Sequence, residues 1–427
     1  MNARPCISLA VLLHIFAALS GSIRAEESRP LVGAIRWDAW YSDKGPVKEV
    51  EHSLGPPKYH FRLPWFAQLQ GGDKVSINGD SEAIMRQELD YAATAGLDYW
   101  AFLDYGPGSD MSHALDRYLA EKDKRGLRFC FIEEGGQIDA RGPADWPRVI
   151  AHFKNPQYLR VLNDRPLLCV FARPKKYGRE VFDQLRQLTV AAGLPEPYLV
   201  LMGWNPAEER AKLGFDAVSE YAAVGTGYSP NPVPYEQLIS KHVVQELWQK
   251  WEHDRTPCIT FATAGWDTRP RQERPPTWCR WIKATPDLTP PDQQKPLRDA
   301  VTAKPDQIAQ HVQDAVQWTR SHRNLNPANC VLIYGWNEND EGGWLIPTLG
   351  ADGKPTGLAV ALIQEAARRR GLSLEWVQAS GFNQARLDLW VLHAITPERL
   401  IQAADQALYA AKRAGRNRVE VDQTLGV

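Results

Sequence analysis

The sequence contains eight short apolar runs at regular intervals, most of them followed by a segment with the period of an amphipathic helix. The runs are Leu31–Trp40, Leu97–Leu103, Leu127–Ile132, Leu167–Phe171, Tyr198–Met202, Phe215–Tyr221, Cys258–Ala262 and Cys330–Tyr334. Apolar strands that alternate with helices are typical of a parallel sheet covered by helices, and eight such repeats favour closure into a barrel. We therefore expect an α/β fold, a (β/α)8 TIM barrel over residues 30–350.

Helical periodicity between the runs supports this prediction. The expected helices are Ser81–Ala95, Met111–Lys124, Val181–Ala192, Tyr235–Glu252 and Pro305–Arg320. A doubly wound open sheet is the alternative, but no Gly-rich phosphate-binding turn follows the first run. Two long loops, 42–80 after the first strand and 263–304 after the seventh, are expected at the carboxyl ends of the strands, where barrels of this kind hold substrate.

The amino-terminal 25 residues have the pattern of an export signal. Arg4 precedes the apolar run Ile7–Leu19, and small residues lead to Ala25. The run is too short to span a bilayer. We therefore expect cleavage near residue 25 and a periplasmic or secreted protein that is free of the membrane.

Charge and reactive side chains exclude several function classes. The 50 Lys and Arg residues balance 51 Asp and Glu residues, so no basic field exists to bind nucleic acid. The motifs GxSxG and HExxH are absent, and the ten histidines have no paired ligand spacing. The five cysteines that follow the export signal show neither a disulfide framework nor a metal-binding spacing. We expect neither a metal nor another cofactor.

Polar and aromatic side chains follow the apolar runs, at the predicted carboxyl ends of the strands. Trp, with 16 residues, outnumbers both Tyr and Phe. An indole covers the apolar face of a sugar ring, while acids and amides bind its hydroxyl groups. The sequence therefore predicts a cleft for a glycan or polysaccharide, and its predicted substrate-binding residues are Tyr41, Asp104, Trp204, Asn205, Glu220, Tyr221, Trp266, Asp267, Arg269, Trp336 and Asn337.

Glu338 and Glu341 form the most informative pair of acids, because they follow the eighth strand and are flanked by Trp and Asn. Cleavage of a glycosidic bond uses two carboxyl groups, about 5–5.5 Å apart in retaining enzymes. Residues three apart on a helical turn approach to about 5–6 Å. Two such close carboxyl groups rarely ionise together, so one remains an acid. We predict that both are catalytic and that Asp340, between them, points to the other side of the turn.

Three segments together carry a family resemblance: WNENDEGGWLIPT (336–348), GWDTRPR (265–271) and ELDYAATAGLDYWAF (88–102). They resemble the family 99-like glycoside hydrolases, also called WbsX-like, over about residues 30–350. The resemblance implies a retaining, metal-independent reaction on a mannose-containing glycan. It also implies that Glu338 assists attack by the sugar's own 2-hydroxyl and that Glu341 protonates the leaving oxygen. Members of the family often have Trp-His between the two acids, where this chain has Asn339-Asp340.

Residues 351–427 follow the predicted barrel as a short helical extension. The stretch 404–419 resembles the final helix and strand of a GGDEF diguanylate cyclase domain, but the GGDEF signature itself is absent. Three functions remain: an exported glycoside hydrolase, a glycan-binding barrel without catalysis or a WbsX-like glycosyltransferase, and, more remotely, a cyclase-related protein acting through this tail. Turnover of polysaccharide or of guanosine triphosphate separates them.

Overall fold

A computed structural model describes residues 29–203, 206–222, 232–279, 300–350, 355–356, 374–379 and 389–394. Its centre is a ring of eight parallel strands: β1 Leu31–Arg36, β2 Tyr99–Leu103, β3 Arg128–Glu134, β4 Arg165–Phe171, β5 Tyr198–Met202, β6 Ala217–Ser219, β7 Thr260–Thr263 and β8 Cys330–Tyr334. Neighbours pair in the order β7-β8-β1-β2-β3-β4-β5-β6. A parallel bridge between Val218 and Cys258 closes the ring, and the Val218 N–H donates to the Pro257 carbonyl at 2.9 Å. The predicted (β/α)8 barrel is confirmed.

Helices cover the outside of the barrel. They are α1 Pro46–Leu54, α2 Glu82–Thr94, α3 His113–Ala120, α4 Gly135–Arg141, α5 Trp146–Phe153, α6 Arg179–Ala191, α7 Pro206–Leu213, α8 (Tyr235–Gln237, the π-helical Leu238–Trp248 and Gln249–His253), α9 Arg269–Glu273 and α10 Pro305–Ser321. Ser81 caps α2 as the sequence predicts, since its hydroxyl accepts from the Ile84 N–H. No helix within the described ranges has both the length and the apolar character to cross a membrane.

Large side chains fill both sides of the strands. On the inside, the Tyr99 ring covers Gly33, where a β-carbon would lie 2.3 Å from the ring, and the Tyr99 hydroxyl donates to the Val331 carbonyl at 2.8 Å. On the outside, Trp100 and Phe102 pack against Tyr118 of α3. This alternation decides which residues of each strand face the inside of the barrel and which face the helices.

Several strands differ in length from the predicted runs. β1 ends at Arg36 instead of Trp40, because the chain turns at Asp38. β3 continues to Glu134, so that Glu133 and Glu134 belong to the strand itself. β6 contains only Ala217–Ser219 of the predicted Phe215–Tyr221. Apolar character identifies buried chain, and it does not show where the ladder of hydrogen bonds stops.

The described residues of the predicted carboxyl-terminal extension are extended. Pro355–Thr356 pairs antiparallel with Thr348–Leu349, and Leu374–Ala379 pairs antiparallel with Leu389–Ala394. Each segment of the second pair contains one Trp and one Val, residue types that favour strands. The predicted export signal at 1–25 and the GGDEF-like stretch at 404–419 lie outside the described residues.

The two long loops after β1 and β7 are joined to each other. Glu273 of α9 accepts hydrogen bonds from Lys58 and Tyr59 at 2.7 and 2.8 Å. Arg274 donates to Asp73 at 2.7 Å. Both loops lie at the carboxyl ends of the strands, as predicted, and these contacts join their described parts.

Candidate active site

The turn that carries Glu338 and Glu341 is a hairpin at the barrel mouth. Asn337–Glu338 pairs antiparallel with Gly343–Trp344 directly after β8. The Glu341 N–H donates to the Glu338 carbonyl at 3.1 Å, which closes the tight turn between the two acids. Glu338 is 2 % exposed and Glu341 is 9 % exposed. The sequence predicted two close acids on a tight turn, and the structure brings them together on a hairpin rather than on a helical turn.

Arg271 of α9 holds the acids together. Its Nε lies 2.6 Å from Asp340 Oδ2, its Nη1 contacts Glu341 Oε1, and its Nη2 lies 3.8 Å from Glu338 Oε2. The guanidinium is buried. Asp340 therefore shares a cation with both catalytic candidates, and the prediction that it points away from them is wrong.

Two tyrosine hydroxyl groups complete the surroundings of the pair. Tyr221 donates to Glu338 Oε1 at 2.6 Å, and Tyr334 donates to Glu341 Oε2 at 2.5 Å. Burial and the neighbouring carboxylates raise the pKa of both tyrosines well above the ordinary value. Both therefore remain neutral hydrogen-bond donors. The prediction had placed Tyr221 in the site, but not Tyr334.

The electrostatics of the pair favour one shared proton. Burial, followed by the charge of Glu341, raises the pKa of Glu338 well above the ordinary value for Glu. Burial also raises the pKa of Glu341, although Arg271 and Tyr334 act against it. Because Arg271 directly contacts Glu341 and lies farther from Glu338, its charge stabilises the ionised form of Glu341 more, and the shared proton is favoured on Glu338.

Close backbone contacts fix the hairpin against the loop after β7. Gly342 has φ of 86°, and a β-carbon there would lie 2.3 Å from the Asp267 nitrogen. The Asp267 N–H donates to the Glu341 carbonyl at 2.6 Å. The Asp267 carboxylate contacts Arg62 and Arg269, whose charges lower its pKa although burial opposes the shift. The predicted residues Asp267 and Arg269 thus form an ion pair that supports the hairpin carrying the two acids.

Asn337 joins the hairpin to the end of β1. Its side-chain amide donates to Asp38 Oδ1 at 2.9 Å, and its side-chain oxygen accepts from the Trp37 N–H at 2.9 Å. Asp38 in turn accepts from Arg36 at 2.7 Å. Both the oxygen and the nitrogen of the Asn337 side chain therefore bond to protein groups. In the structure, Asn337 orients the neighbouring Glu338.

Tyr41 and Trp336, which the sequence places beside the substrate, lie elsewhere. The Tyr41 hydroxyl donates to Glu88 of α2 at 2.7 Å, and Trp336 Nε1 donates to the same carboxylate at 3.2 Å. The Trp336 ring also lies 5.4 Å from that of Trp100, on the outer side of the barrel. The chain leaves the strand after Tyr334, so Trp336 does not keep the inward direction of that residue. Both predicted residues pack between the strands and α2.

The remaining predicted residues have separate placements. Trp266 lies 5.9 Å from Tyr334, ring to ring, and so lies beside the acidic pair. Glu220 accepts from the Tyr221 N–H at 3.0 Å, and burial raises its pKa to about 7. Trp204 and Asn205 lie outside the described residues.

Asp104 belongs to a second acidic group, with Glu133 and Asp145, whose carboxylate oxygens lie within 4.8 Å of one another. Such a spacing suits a metal ion. Two cations already occupy the group, however: Arg148 contacts Asp104 and Asp145, and Arg141 lies 2.6 Å from Glu133. Glu133 follows Phe131 on the outward face of β3, against α4 and α5. The structure therefore places the predicted residue Asp104 in an ion-pair network of the helical layer.

A WbsX-like family signature extends over a large part of the barrel. The family model described as Glycosyltransferase WbsX matches residues 144–354. That range includes β4 to β8, Arg271 and the Glu338–Glu341 hairpin. The part of the chain from β4 through the hairpin is therefore similar to the WbsX family, and the resemblance predicted from the sequence is confirmed.

Solved structures provide more distant likenesses. The GH99 endo-alpha-mannosidase from Bacteroides thetaiotaomicron is 13% identical, with a TM-score of 0.49, and the match covers 80% of this chain and 96% of that one. The same enzyme with BIS-TRIS-propane is 14% identical over the same shares, with a TM-score of 0.47. Curated protein sequences show no match to the chain.

Proposed function

We propose that the protein is an exported glycoside hydrolase that cleaves a mannose-type or related polysaccharide with retention, using Glu338 and Glu341. The observation that carries this proposal is the pair of buried carboxyl groups on one guanidinium, each with a tyrosine hydroxyl as a further partner. A pair that shares one proton supplies both an acid and a charged group, which glycosidic cleavage requires.

The division of labour depends on where that proton lies. The family resemblance implies that Glu341 protonates the leaving oxygen, whereas the shared proton is favoured on Glu338 in the free protein. A sugar 2-hydroxyl that donates to Glu338 stabilises its carboxylate and lowers its pKa. Substrate binding would then move the shared proton to Glu341, and the implied roles follow.

A second candidate is glycosyl transfer, which the name of the matched family favours. Both reactions occur at the anomeric carbon, and the acceptor distinguishes them: water in one case and a sugar hydroxyl in the other. A glycan-binding barrel without catalysis uses the same cleft and gives no product.

The experiment is a panel of soluble polysaccharides, including α-mannans, incubated with the mature protein and assayed for new reducing ends. We expect release from at least one polymer, and loss of release in the Glu338→Gln and Glu341→Gln variants. Proton NMR of the first product identifies the anomer and tests retention. Binding without release supports the non-catalytic barrel, and transfer from an activated sugar donor without hydrolysis supports the transferase.

A further inference from the structure

Trp278 is a partly exposed indole on the loop after β7, and the reaction proposed above does not use it. Its exposed fraction is 38%. Single exposed apolar side chains are common on protein surfaces and need no function. The neighbours of Trp278 make this one informative.

A short series of contacts leads from the acids to this indole. The Arg271 guanidinium, which holds Glu338 and Glu341, lies 5.0 Å from the centre of the Trp37 ring. The Trp37 ring lies 6.0 Å from the Trp278 ring at an angle of 61°. Cys279, the next residue, is buried beside Arg271. Trp278 is therefore connected to the acidic pair through Trp37 and Arg271.

The segment that carries Trp278 is anchored in place. The Thr277 N–H donates to Glu49 of α1 at 2.7 Å, and the Ser53 hydroxyl of α1 donates to the Arg274 carbonyl at 2.9 Å. Trp37 is also fixed, because its Nε1–H donates to the Tyr105 hydroxyl at 3.0 Å. Both rings are therefore held in position before any ligand binds, which lowers the entropic cost of binding.

We propose that Trp278, supported by Trp37, forms a carbohydrate subsite in which one pyranose ring of the glycan stacks its C–H face on the indole. The flat apolar face of a sugar fits an indole, and its hydroxyl groups remain at the edge of the ring in contact with water. The subsite rests on the proposed function, since the acids beside it define the bond to be cleaved. It holds a sugar unit next to that bond.

The test compares Trp278→Ala and Trp278→Phe with the wild type. Affinity electrophoresis through gels that contain α-mannan, β-mannan, xylan or β-glucan measures binding without requiring cleavage. We expect Trp278→Ala to weaken binding of the retarding polymer by about five- to tenfold, the size of one aromatic contact. Trp278→Phe keeps a ring and is expected to retain most of the affinity. Leu69→Ala, which removes an exposed apolar side chain from the other long loop, is the matched control and is expected to bind as the wild type does.

Cleavage of the same polymers separates this proposal from the hydrolase. Weaker binding by Trp278→Ala in a protein that releases no product supports the subsite and refutes hydrolysis. Release of product with unchanged affinity and KM in Trp278→Ala refutes the subsite and supports hydrolysis. A wild type that no polymer retards also overturns the subsite. If Trp278→Ala does not fold, as judged by circular dichroism, acrylamide quenching of the wild type replaces it. A retarding polymer that protects no tryptophan from the quencher then overturns the subsite.

Discussion

Arg271 contacts the carboxylates of Glu338, Asp340 and Glu341. Its positive charge therefore influences the pKa of the Glu338–Glu341 pair. If the pair is catalytic as proposed, it acts while it holds one proton, and activity should fall as pH rises through its raised pKa. Arg271→Lys retains a positive charge but loses the planar fork that contacts Asp340, Glu341 and Glu338. We expect the pKa at which the pair loses its shared proton to rise, which moves the alkaline limb of the kcat/KM profile up by about one unit.

A pH series of kcat/KM on the polymer that is cleaved measures this shift. Arg148→Lys is the matched control, because Arg148 pairs with acids of the helical layer and not with the hairpin. An alkaline limb at the same pH in Arg271→Lys would show that the guanidinium does not set the charge of the pair.

The roles of the two acids predict different responses to the leaving group. If Glu341 is the acid in the complex, Glu341→Gln should lose about 10²-fold or more on substrates with poor leaving groups and much less on activated ones. Glu338→Gln should be slow on both, since attack at the anomeric carbon precedes departure in that scheme. Rates on a series of aryl glycosides measure the dependence. The reverse order would place the proton on Glu338 throughout the reaction.

The raised pKa of Glu220 leads us to expect that stability, rather than reaction rate, depends on pH through this residue. Its pKa in the folded protein is about 7, above the ordinary value, because burial disfavours the charged form. The stabilisation that its proton provides is complete below about pH 4 and is lost as pH rises through 7. Glu220→Gln remains neutral, so its melting temperature should equal the wild type's in acid and exceed it above pH 7. The gain is about 1–2 kcal/mol for this partly exposed group. A constant difference across pH would contradict the assignment.

Sequence reasoning found the two acids of the site but missed the cation that holds them. Glu338 and Glu341 follow an apolar run three residues apart, and that local pattern is visible in the sequence. Arg271 lies 70 residues away in the chain and reaches them only because the loop after β7 crosses the loop after β8. Tyr334 escaped notice because it belongs to the apolar run itself. Its position at the last inward step of β8 was the signal that pointed to it.

At the scale of elements, the hairpin depends on Gly342, which faces the loop after β7. A β-carbon on Gly342 would meet the Asp267 backbone at 2.3 Å, whereas one on Gly72 would meet nothing within 4 Å. Both residues have positive φ, so each alanine variant incurs the same kind of backbone strain. We expect Gly342→Ala to cost about 2 kcal/mol or more beyond Gly72→Ala, because overpacking adds to that strain.

Thermal unfolding of the two variants measures this difference, and activity provides a second readout. Gly342→Ala should also reduce kcat, since displacement of the hairpin moves Glu341 relative to Arg271. Equal melting temperatures for both alanine variants would mean that the hairpin is not held by its contact with Asp267.

The clarity of the helical period in the sequence explains which helices could be predicted. α2 and α10 have long amphipathic periods and agree with the predicted Ser81–Ala95 and Pro305–Arg320 to within one or two residues. The short helices α4 and α5 were missed, since seven or eight residues contain too few turns for a clear period. Trp336 was misplaced because alternation along a strand cannot be extended past the point where the strand ends.

At the scale of the whole molecule, the order of the strands determines at which residue of the chain the barrel is complete. β8 pairs with both β7 and β1, so the last step of barrel closure uses Cys330–Tyr334. The eight apolar runs predicted this number and order because each run buries both faces of its strand, and burial is what an apolar run records. The hairpin that carries Glu338 and Glu341 follows β8 directly and lies within the closed unit.

A truncated chain tests whether the barrel folds without the residues that follow Thr356. A protein that ends after Thr356 keeps β8, the hairpin and the strand pair Thr348–Leu349 with Pro355–Thr356. We expect its melting temperature to lie within about 2 °C of that of the full chain, a difference below about 1 kcal/mol for a domain of this size, and its kcat/KM on polysaccharide to be unchanged. A protein that ends after Pro327 lacks β8, and it should not fold, because β1 and β7 both lose a partner strand and Val32 and Phe261 lose their neighbours in the sheet. Loss of folding in the longer fragment would show that residues beyond 356 are needed to complete the barrel.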